Sequence, residues 1–179
     1  MNDIDRCKIP QLLTRRLLLR GFTPDDTEPL RVILAEPNIL RYFPRTEPWP
    51  LEIIEKWLQG HWNHWLEHGF GWWAVTDRQN EQLLGWCGLC VLDETGEVEV
   101  KYLLRTSSWG QGLATEAARQ SLAYAFGEAG LSMVIGLTHP DNIASQRVLE
   151  KIGLTFRNRA VYFNFDCLRF ARESTAASP

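Results

Sequence analysis

Residues 109–118 read Trp-Gly-Gln-Gly-Leu-Ala-Thr-Glu-Ala-Ala, two glycines one residue apart followed at once by helix-forming residues. A loop that opens straight into a helix leaves its first backbone N–H groups without intrahelical acceptors, and the aligned peptide dipoles put partial positive charge at the same point. Such a place binds anions. Gly110 and Gly112 carry no Cβ and Ala114 only a methyl, so a phosphate can approach the main chain with no side chain between. The spacing differs from the nucleoside-triphosphate pattern Gly-x-x-x-x-Gly-Lys-Ser/Thr. It also differs from the dinucleotide pattern Gly-x-Gly-x-x-Gly with an acidic residue ending the next strand. A glycine turn that only caps a helix fits these few residues equally well.

Two other groups invite chemistry. Cys87-Gly-Leu-Cys90 has the Cys-x-x-Cys spacing of zinc and thiol-disulfide sites, but no second pair accompanies it among the four cysteines at 7, 87, 90 and 167. Residues 83–92 read as a buried strand, where positions three apart face opposite sides, so the expectation is two core thiols. His61, His64 and His68 share one face of an expected helix, yet zinc wants three or four ligands with support around them, and no such set is visible. A partly exposed aromatic face with Trp57, Trp62 and Trp65 is the expected setting, and no metal is expected.

The elements that must position the glycine loop follow from periodicity. Residues 98–105 before it are apolar and β-prone; after it Ala114, Ala118, Leu122, Ala125 and Ala129 recur at helical spacing. Upstream, residues 13–20 predict a strand. Thr23-Pro24-Asp25-Asp26 predicts a helix start, with Thr23 as cap and Pro24 in the first turn, running to about residue 36. Pro37, Pro44, Pro48 and Pro50 break residues 38–50 into turns, and a second helix is predicted over residues 51–67. Residues 71–77, 83–92 and 98–105 form a meander. Residues 133–138 predict a strand, Pro140-Asp141-Asn142 opens a helix that Gly153 stops, and residues 161–170 predict the closing strand. The fold class is α/β: a mixed, mostly antiparallel central sheet with helices on both faces. Residues 1–12 are expected to be a flexible leader, 13–172 a single domain and 173–179 a tail.

Three blocks in this order carry a resemblance: Glu97-Val-Glu-Val-Lys-Tyr-Leu-Leu, then Trp109-Gly-Gln-Gly-Leu-Ala-Thr-Glu-Ala-Ala, then Asn142-Ile-Ala-Ser-Gln-Arg-Val-Leu-Glu-Lys-Ile-Gly. Together they resemble the GNAT superfamily of acyl-CoA-dependent N-acetyltransferases. The opening Leu13-Thr-Arg-Arg-Leu-Leu-Leu-Arg-Gly-Phe-Thr-Pro-Asp-Asp looks like the RimJ/RimL branch of ribosomal-protein N-terminal acetyltransferases. The likeness spans roughly residues 13–170, far more than one loop.

The resemblance implies that acetyl-CoA, the cosubstrate, enters between two splayed strands. Its pantetheine would lie along Tyr102, Leu103, Leu104 and Arg105, and its pyrophosphate on the amides of Gln111, Gly112, Leu113, Ala114 and Thr115. Asn142 would meet the pantetheine arm from the far side. Trp109 stands where the family loop often has Arg or Gln. Glu99 matches an acidic position used as base in some members, with Glu97 on the same strand face as its rival. Ser145 matches the serine that protonates the thiolate in RimL-like enzymes. Two departures stand out: Arg157 where RimL-type enzymes place a glutamate, and Phe170 where many members place a tyrosine. The amine's pocket is expected to be lined by the two N-terminal helices and residues 38–50. Trp49, Trp57, Trp72 and Trp73 would offer cation–π faces there, unless they are core.

The implied function is transfer of acetyl from acetyl-CoA to a primary amine, either a protein N-terminus or a small-molecule amine. With reference pKa values near 8 for an α-amine and near 10.4 for lysine, deprotonation at pH 7 costs about 1.4 against roughly 4.6 kcal/mol, so a weakly basic amine is the easier acceptor. A non-catalytic acyl-CoA-binding sensor would use the same cradle, and a redox or zinc protein would use Cys87 and Cys90.

Composition fits these readings. At 179 residues, 45% hydrophobic, 23% charged and with net charge −3, the chain is an ordinary globular sequence with a sizeable core. No basic run calls for nucleic acid or a membrane surface. Residues 1–9 lack the apolar stretch of a secretory signal, and no segment approaches the ~20 apolar residues of a membrane span. The expectations are therefore a cytoplasmic location and a monomer or homodimer.

Overall fold

The computed structural model of the protein describes residues 9–175; the first eight residues of the expected leader, Cys7 among them, and residues 176–179 of the expected tail lie outside the described residues. One eight-stranded sheet organises the rest, in the spatial order β1-β2-β3-β4-β5-β6-β8-β7. Its strands are β1 (Leu12–Leu13), β2 (Leu17–Arg20), β3 (Trp72–Asp77), β4 (Leu83–Val91), β5 (Val98–Leu104), β6 (Met133–Thr138), β7 (Thr155–Tyr162) and β8 (Phe165–Glu173). Every neighbouring pair is antiparallel except β5 and β6. The helices are α1 (Thr27–Leu34), α2 (Leu51–His68), α3 (Leu113–Phe126) and α4 (Ile143–Lys151).

Strand alternation divides the core into two layers. Val100 and Leu104 of β5 pack with Leu113, Ala117, Ala118 and Leu122 of α3 and Leu149 of α4. Leu103, Ala74 and Trp86 pack instead with Leu30 and Ile33 of α1 and Ile54 and Leu58 of α2. Helices therefore cover both faces, as the α/β pattern requires.

Three element boundaries differ from the sequence expectation. Residues 13–20 are not one strand, because Thr14 folds the chain back: its amide donates to the Leu17 carbonyl at 3.0 Å, and its hydroxyl oxygen accepts from Leu17 N–H at 2.9 Å. Leu12 is thereby paired and buried. The first helix is interrupted, with a short 3-10 turn at Pro24–Asp26 before α1 begins at Thr27. The physical reason is Pro29, whose ring and missing N–H are tolerated only in a helix's first turn, so the α-helical ladder starts just ahead of it. The expected closing strand over residues 161–170 is really a hairpin, turned at Phe163 and Asn164, both with positive φ (51° and 62°). Left-handed backbone at an aromatic residue carries no sequence signal of the kind that Asn-Gly gives.

Candidate active site

β5 and β6 run parallel but pair only at Glu99 with Ile135. Beyond that point β5 continues to Leu104 and β6 to Thr138 without each other, so the strands part like a V. Backbone groups of alternate residues along the open edge of β5 are left without a strand neighbour. The Leu104 carbonyl is answered by the Trp109 indole N–H at 2.7 Å. A cavity fills the opening, lined by Val100, Lys101 and Tyr102 on one side and by Thr138, Asn142 and Ser145 on the other. Tyr42, Phe43 and Pro44 and the tip of the β7–β8 hairpin close over it.

The glycine loop sits at the far end of β5. Gly110 and Gly112 take φ of 73° and 77°, a left-handed backbone that Gly adopts at no steric cost. Gly112 is the residue ahead of α3, and no side chain caps the helix. The ladder begins with Glu116 N–H to the Gly112 carbonyl at 3.0 Å, so the amides of Leu113, Ala114 and Thr115 have no acceptor among the described residues. A Cβ built on Gly110 meets nothing within 4 Å, so the approach is open. Arg16, at the bend between β1 and β2, buttresses the loop. Its guanidinium donates to the Gln111 carbonyl at 3.0 Å and to the Glu116 carboxylate at 2.7 Å. Thr14 Oγ1 donates to the same carboxylate at 2.6 Å. A diphosphate fits this cradle: open amides, no intruding side chain, and one guanidinium beside them.

Across the V, the Tyr102 hydroxyl meets Ser145, 2.9 Å from its Oγ and donating to its carbonyl at 3.1 Å. Burial pushes the Tyr102 phenol well above its usual range, against the Ser145 contact, so it is a proton donor at neutral pH. Asn142 caps α4, its side-chain oxygen accepting from Ser145 N–H at 3.1 Å. One hydrogen-bonded unit thus places Tyr102, Ser145 and Asn142 along one side of the cavity.

Glu99 and Lys101 project to the opposite face of β5. Glu99 is buried, 2% exposed, with one carboxylate oxygen 3.2 Å from Lys101 Nζ. The Glu99 carboxylate holds the Lys101 ammonium above its usual range, against the effect of burial, so the lysine is a fixed positive charge. Glu97, the rival carboxylate, accepts from Tyr162 Oη at 2.9 Å and from Arg169 at 2.5 and 3.1 Å. Burial raises its pKa, but those bonds outweigh burial and leave it lowered. It is therefore a poor proton acceptor, and it does not line the cavity.

The structure brings Glu99, Tyr102, Asn142 and Ser145 to one cavity and sets residues 111–115 at a separate cradle. Leu103 and Leu104 turn their side chains into the two core layers, leaving only main chain for a ligand. Arg105 is engaged with Glu36, 3.4 Å away. Neither α1 nor α2 lines the cavity; from the expected acceptor region only Tyr42, Phe43 and Pro44 do. Trp73 is fully buried, Trp57 and Trp72 stack with His61 and with each other, and Trp49 packs tilted against Trp86; none of the four lines the cavity. Phe170 is core and Arg157 pairs with Glu173 at 3.8 Å on β7, so neither departure reaches the chemistry.

Sequence reasoning missed Lys101, Thr138, Arg16 and the aromatic hairpin tip. Lys101 was legible as a same-face neighbour of Glu99; the others come near through long-range packing. Cys87 and Cys90 lie in different core clusters, and burial pushes both thiols up to about 12. His64 is fixed by the Phe70 carbonyl at 2.8 Å and Val91 N–H at 3.1 Å, and His61 is buried, so the expected partly exposed face is mostly interior. Trp62 and Trp65 are buried as well. Among the described residues no group of histidine, cysteine and carboxylate side chains is placed to hold a metal ion, and no helix is long and apolar enough to cross a membrane.

Comparison with known proteins agrees with this geometry. Residues 16–155 match the model of the acetyltransferase (GNAT) domain family. The chain is similar to YkkB of Bacillus subtilis, 29% identical over 169 residues that cover 92% of this chain and 96% of that protein. An acetyltransferase from Agrobacterium tumefaciens superposes with a TM-score of 0.80 at 25% identity, over 93% of this chain and 95% of that one. RimL, a ribosomal L7/L12 alpha-N-protein acetyltransferase in complex with coenzyme A, shares the fold with a TM-score of 0.79 at 16% identity, covering 93% of this chain and 98% of that one.

Proposed function

The chain belongs to the GNAT acetyltransferase family, and from that premise we propose that it moves acetyl from acetyl-CoA to a primary amine in the cavity between β5 and β6. The observation that carries this reading is the parting of the two strands, with a buried carboxylate at its apex and the open amides of α3 at its end. Acetyl-CoA supplies an activated thioester. The amides of Gln111, Gly112, Leu113, Ala114 and Thr115 bind its diphosphate, with Arg16 beside them. The open edge of β5 from Tyr102 to Leu104 hydrogen-bonds the pantetheine, Arg105 being taken by Leu84, Ser108 and Glu36, and Asn142 meets it from α4.

Glu99 accepts the proton that the amine loses as its nitrogen bonds to the thioester carbonyl carbon, and an unpaired amide of the β5 edge stabilises the oxyanion. The C–S bond then breaks, and the Ser145 hydroxyl, hydrogen-bonded to Tyr102, protonates the departing thiolate. Lys101, with its Nζ 3.2 Å from one oxygen of Glu99, holds that carboxylate in place. The acceptor is a protein N-terminus or a small amine, and the site works in the cytoplasm, where acetyl-CoA is made available. A sensor without turnover would bind acetyl-CoA in the same cradle and release no thiol with any amine.

Free-thiol release measured with acetyl-CoA and a panel of amines tests the proposal. Glu99→Gln should lower kcat by about 10²–10⁴-fold, the usual contribution of a general base, and leave acetyl-CoA affinity unchanged by calorimetry. Wild-type turnover in that variant removes Glu99 from the mechanism, and no amine-dependent thiol release from the wild type removes the enzyme reading.

A further inference from the structure

The acceptor side of the cavity is walled by rings. Tyr42 and Phe43 stand on the loop between α1 and α2, and Tyr162, Phe163 and Phe165 on the β7–β8 hairpin. Phe163 and Phe165 are each 39% exposed, too open to count as core. Phe163 holds a φ of 51°, an αL conformation that costs a non-glycine residue roughly 1–2 kcal/mol. The tip is fastened on two sides, by Phe163 N–H to the Glu94 carboxylate at 3.1 Å and by Tyr162 Oη to Glu97 at 2.9 Å. A half-open aromatic ring held in strained backbone by tethers is a recognition surface, not packing.

The charges facing the same space are already paired. Glu99 is taken by Lys101, and Asp166 accepts two bonds from Arg159 Nε at 2.6 and 2.8 Å. His139 has Asp141 3.8 Å away. Beyond Glu99, which meets the reacting amine, a polycation would find no spare carboxylate for its further charges. Tyr42 also bridges its loop to the turn before α4, stacking on His139 at 5.4 Å and donating to the Asp141 carbonyl at 3.2 Å. An extended peptide would have to displace that bridge, whereas a single flat group would not.

We propose that the acceptor is a small arylalkyl primary amine whose ring is held by Phe163, Phe165 and Tyr42 while its amine is presented to Glu99. This rests on the acetyltransferase reading above. The test measures kcat/KM for 2-phenylethylamine, ethylamine, spermidine and an alanine-terminated peptide, in the wild type and in Phe163→Asn and Phe165→Ala. Asparagine tolerates positive φ, so the first variant removes the ring without adding backbone strain. Acetyl-CoA affinity by calorimetry shows that each variant is folded. Phenylethylamine should exceed each other acceptor by at least about tenfold, and each variant should lose about tenfold for it while changing ethylamine less than twofold. Preference for spermidine or the peptide overturns the proposal, as does an equal loss for all amines. Absence of turnover with every amine, acetyl-CoA still binding, overturns the acetyltransferase reading itself.

Discussion

Glu97 and Glu99 stand two residues apart on one face of β5, yet their surroundings assign them different work. Tyr162 and Arg169 consume the lone pairs of Glu97; Glu99 keeps one oxygen with no hydrogen-bonded hydroxyl or amide, next to Lys101. Glu97→Gln should therefore cost stability, about 1–3 kcal/mol for the half-buried Arg169 left unpaired, read by denaturant unfolding, with kcat close to wild type. Period-two alternation showed that both carboxylates share a face, but not which one is occupied, because Arg169 lies 72 residues away in sequence. His61 gives a second prediction. Burial lowers its pKa to about 3 from 6.5, so the folded protein holds it neutral while the unfolded chain takes up a proton below pH 6.5. A depressed histidine destabilises as pH falls: stability should drop by about 1.4 kcal/mol per pH unit between 6.5 and the folded value. Tm measured from pH 7 to pH 5 should fall less in His61→Phe, which fits among Phe22, Trp57 and Trp72; an identical slope in both proteins would refute the assignment.

Elements were legible where one periodicity ran uninterrupted. The strand expected at residues 133–138 is β6 to the residue, and α2 ends at His68 because Gly69 takes the left-handed turn that stops it. Legibility failed where a local feature overrode the period, at Thr14, Pro29 and Phe163. The same logic makes two glycines respond oppositely to alanine. Gly60 is exposed inside α2, and a Cβ there meets nothing within 4 Å. Gly60→Ala should stabilise by about 0.4–1 kcal/mol, seen as a higher denaturation midpoint, since alanine loses less backbone entropy on folding. Gly112 has equal room, its nearest contact being Arg16 Nη2 at 3.8 Å, but its φ is +77°. Gly112→Ala should cost roughly 1–2 kcal/mol. It also adds a methyl beside the open amides, so acetyl-CoA affinity should fall as well.

At the scale of the whole molecule, the sheet is held from both sides of a gap that its own strands leave open. The resemblance implies two splayed strands, but the spatial order ending β6-β8-β7 was hidden by the missed hairpin, and the point where β5 and β6 part was not legible because parallel contact across α3 depends on how far the helix pushes the strands apart. A ligand filling that gap would connect β5, α3 and α4, three elements that otherwise meet through core side chains and a few hydrogen bonds such as Tyr102 to Ser145 and Arg119 to the Lys151 carbonyl, and binding to the folded state alone must then raise its stability. At a concentration 100 times Kd the gain is about 2.7 kcal/mol. For a domain of this length that corresponds to a Tm increase of about 5–10 °C. In Gly112→Ala a tenfold weaker Kd would remove about 1.4 kcal/mol of the gain at the same ligand concentration, and with it roughly half of the shift. Glu99→Gln, which alters the apex and not the cradle, should keep the full shift. Thermal unfolding of the three proteins with and without acetyl-CoA separates the two ends of the V: equal shifts in wild type and Gly112→Ala would show that the diphosphate is bound elsewhere than on α3.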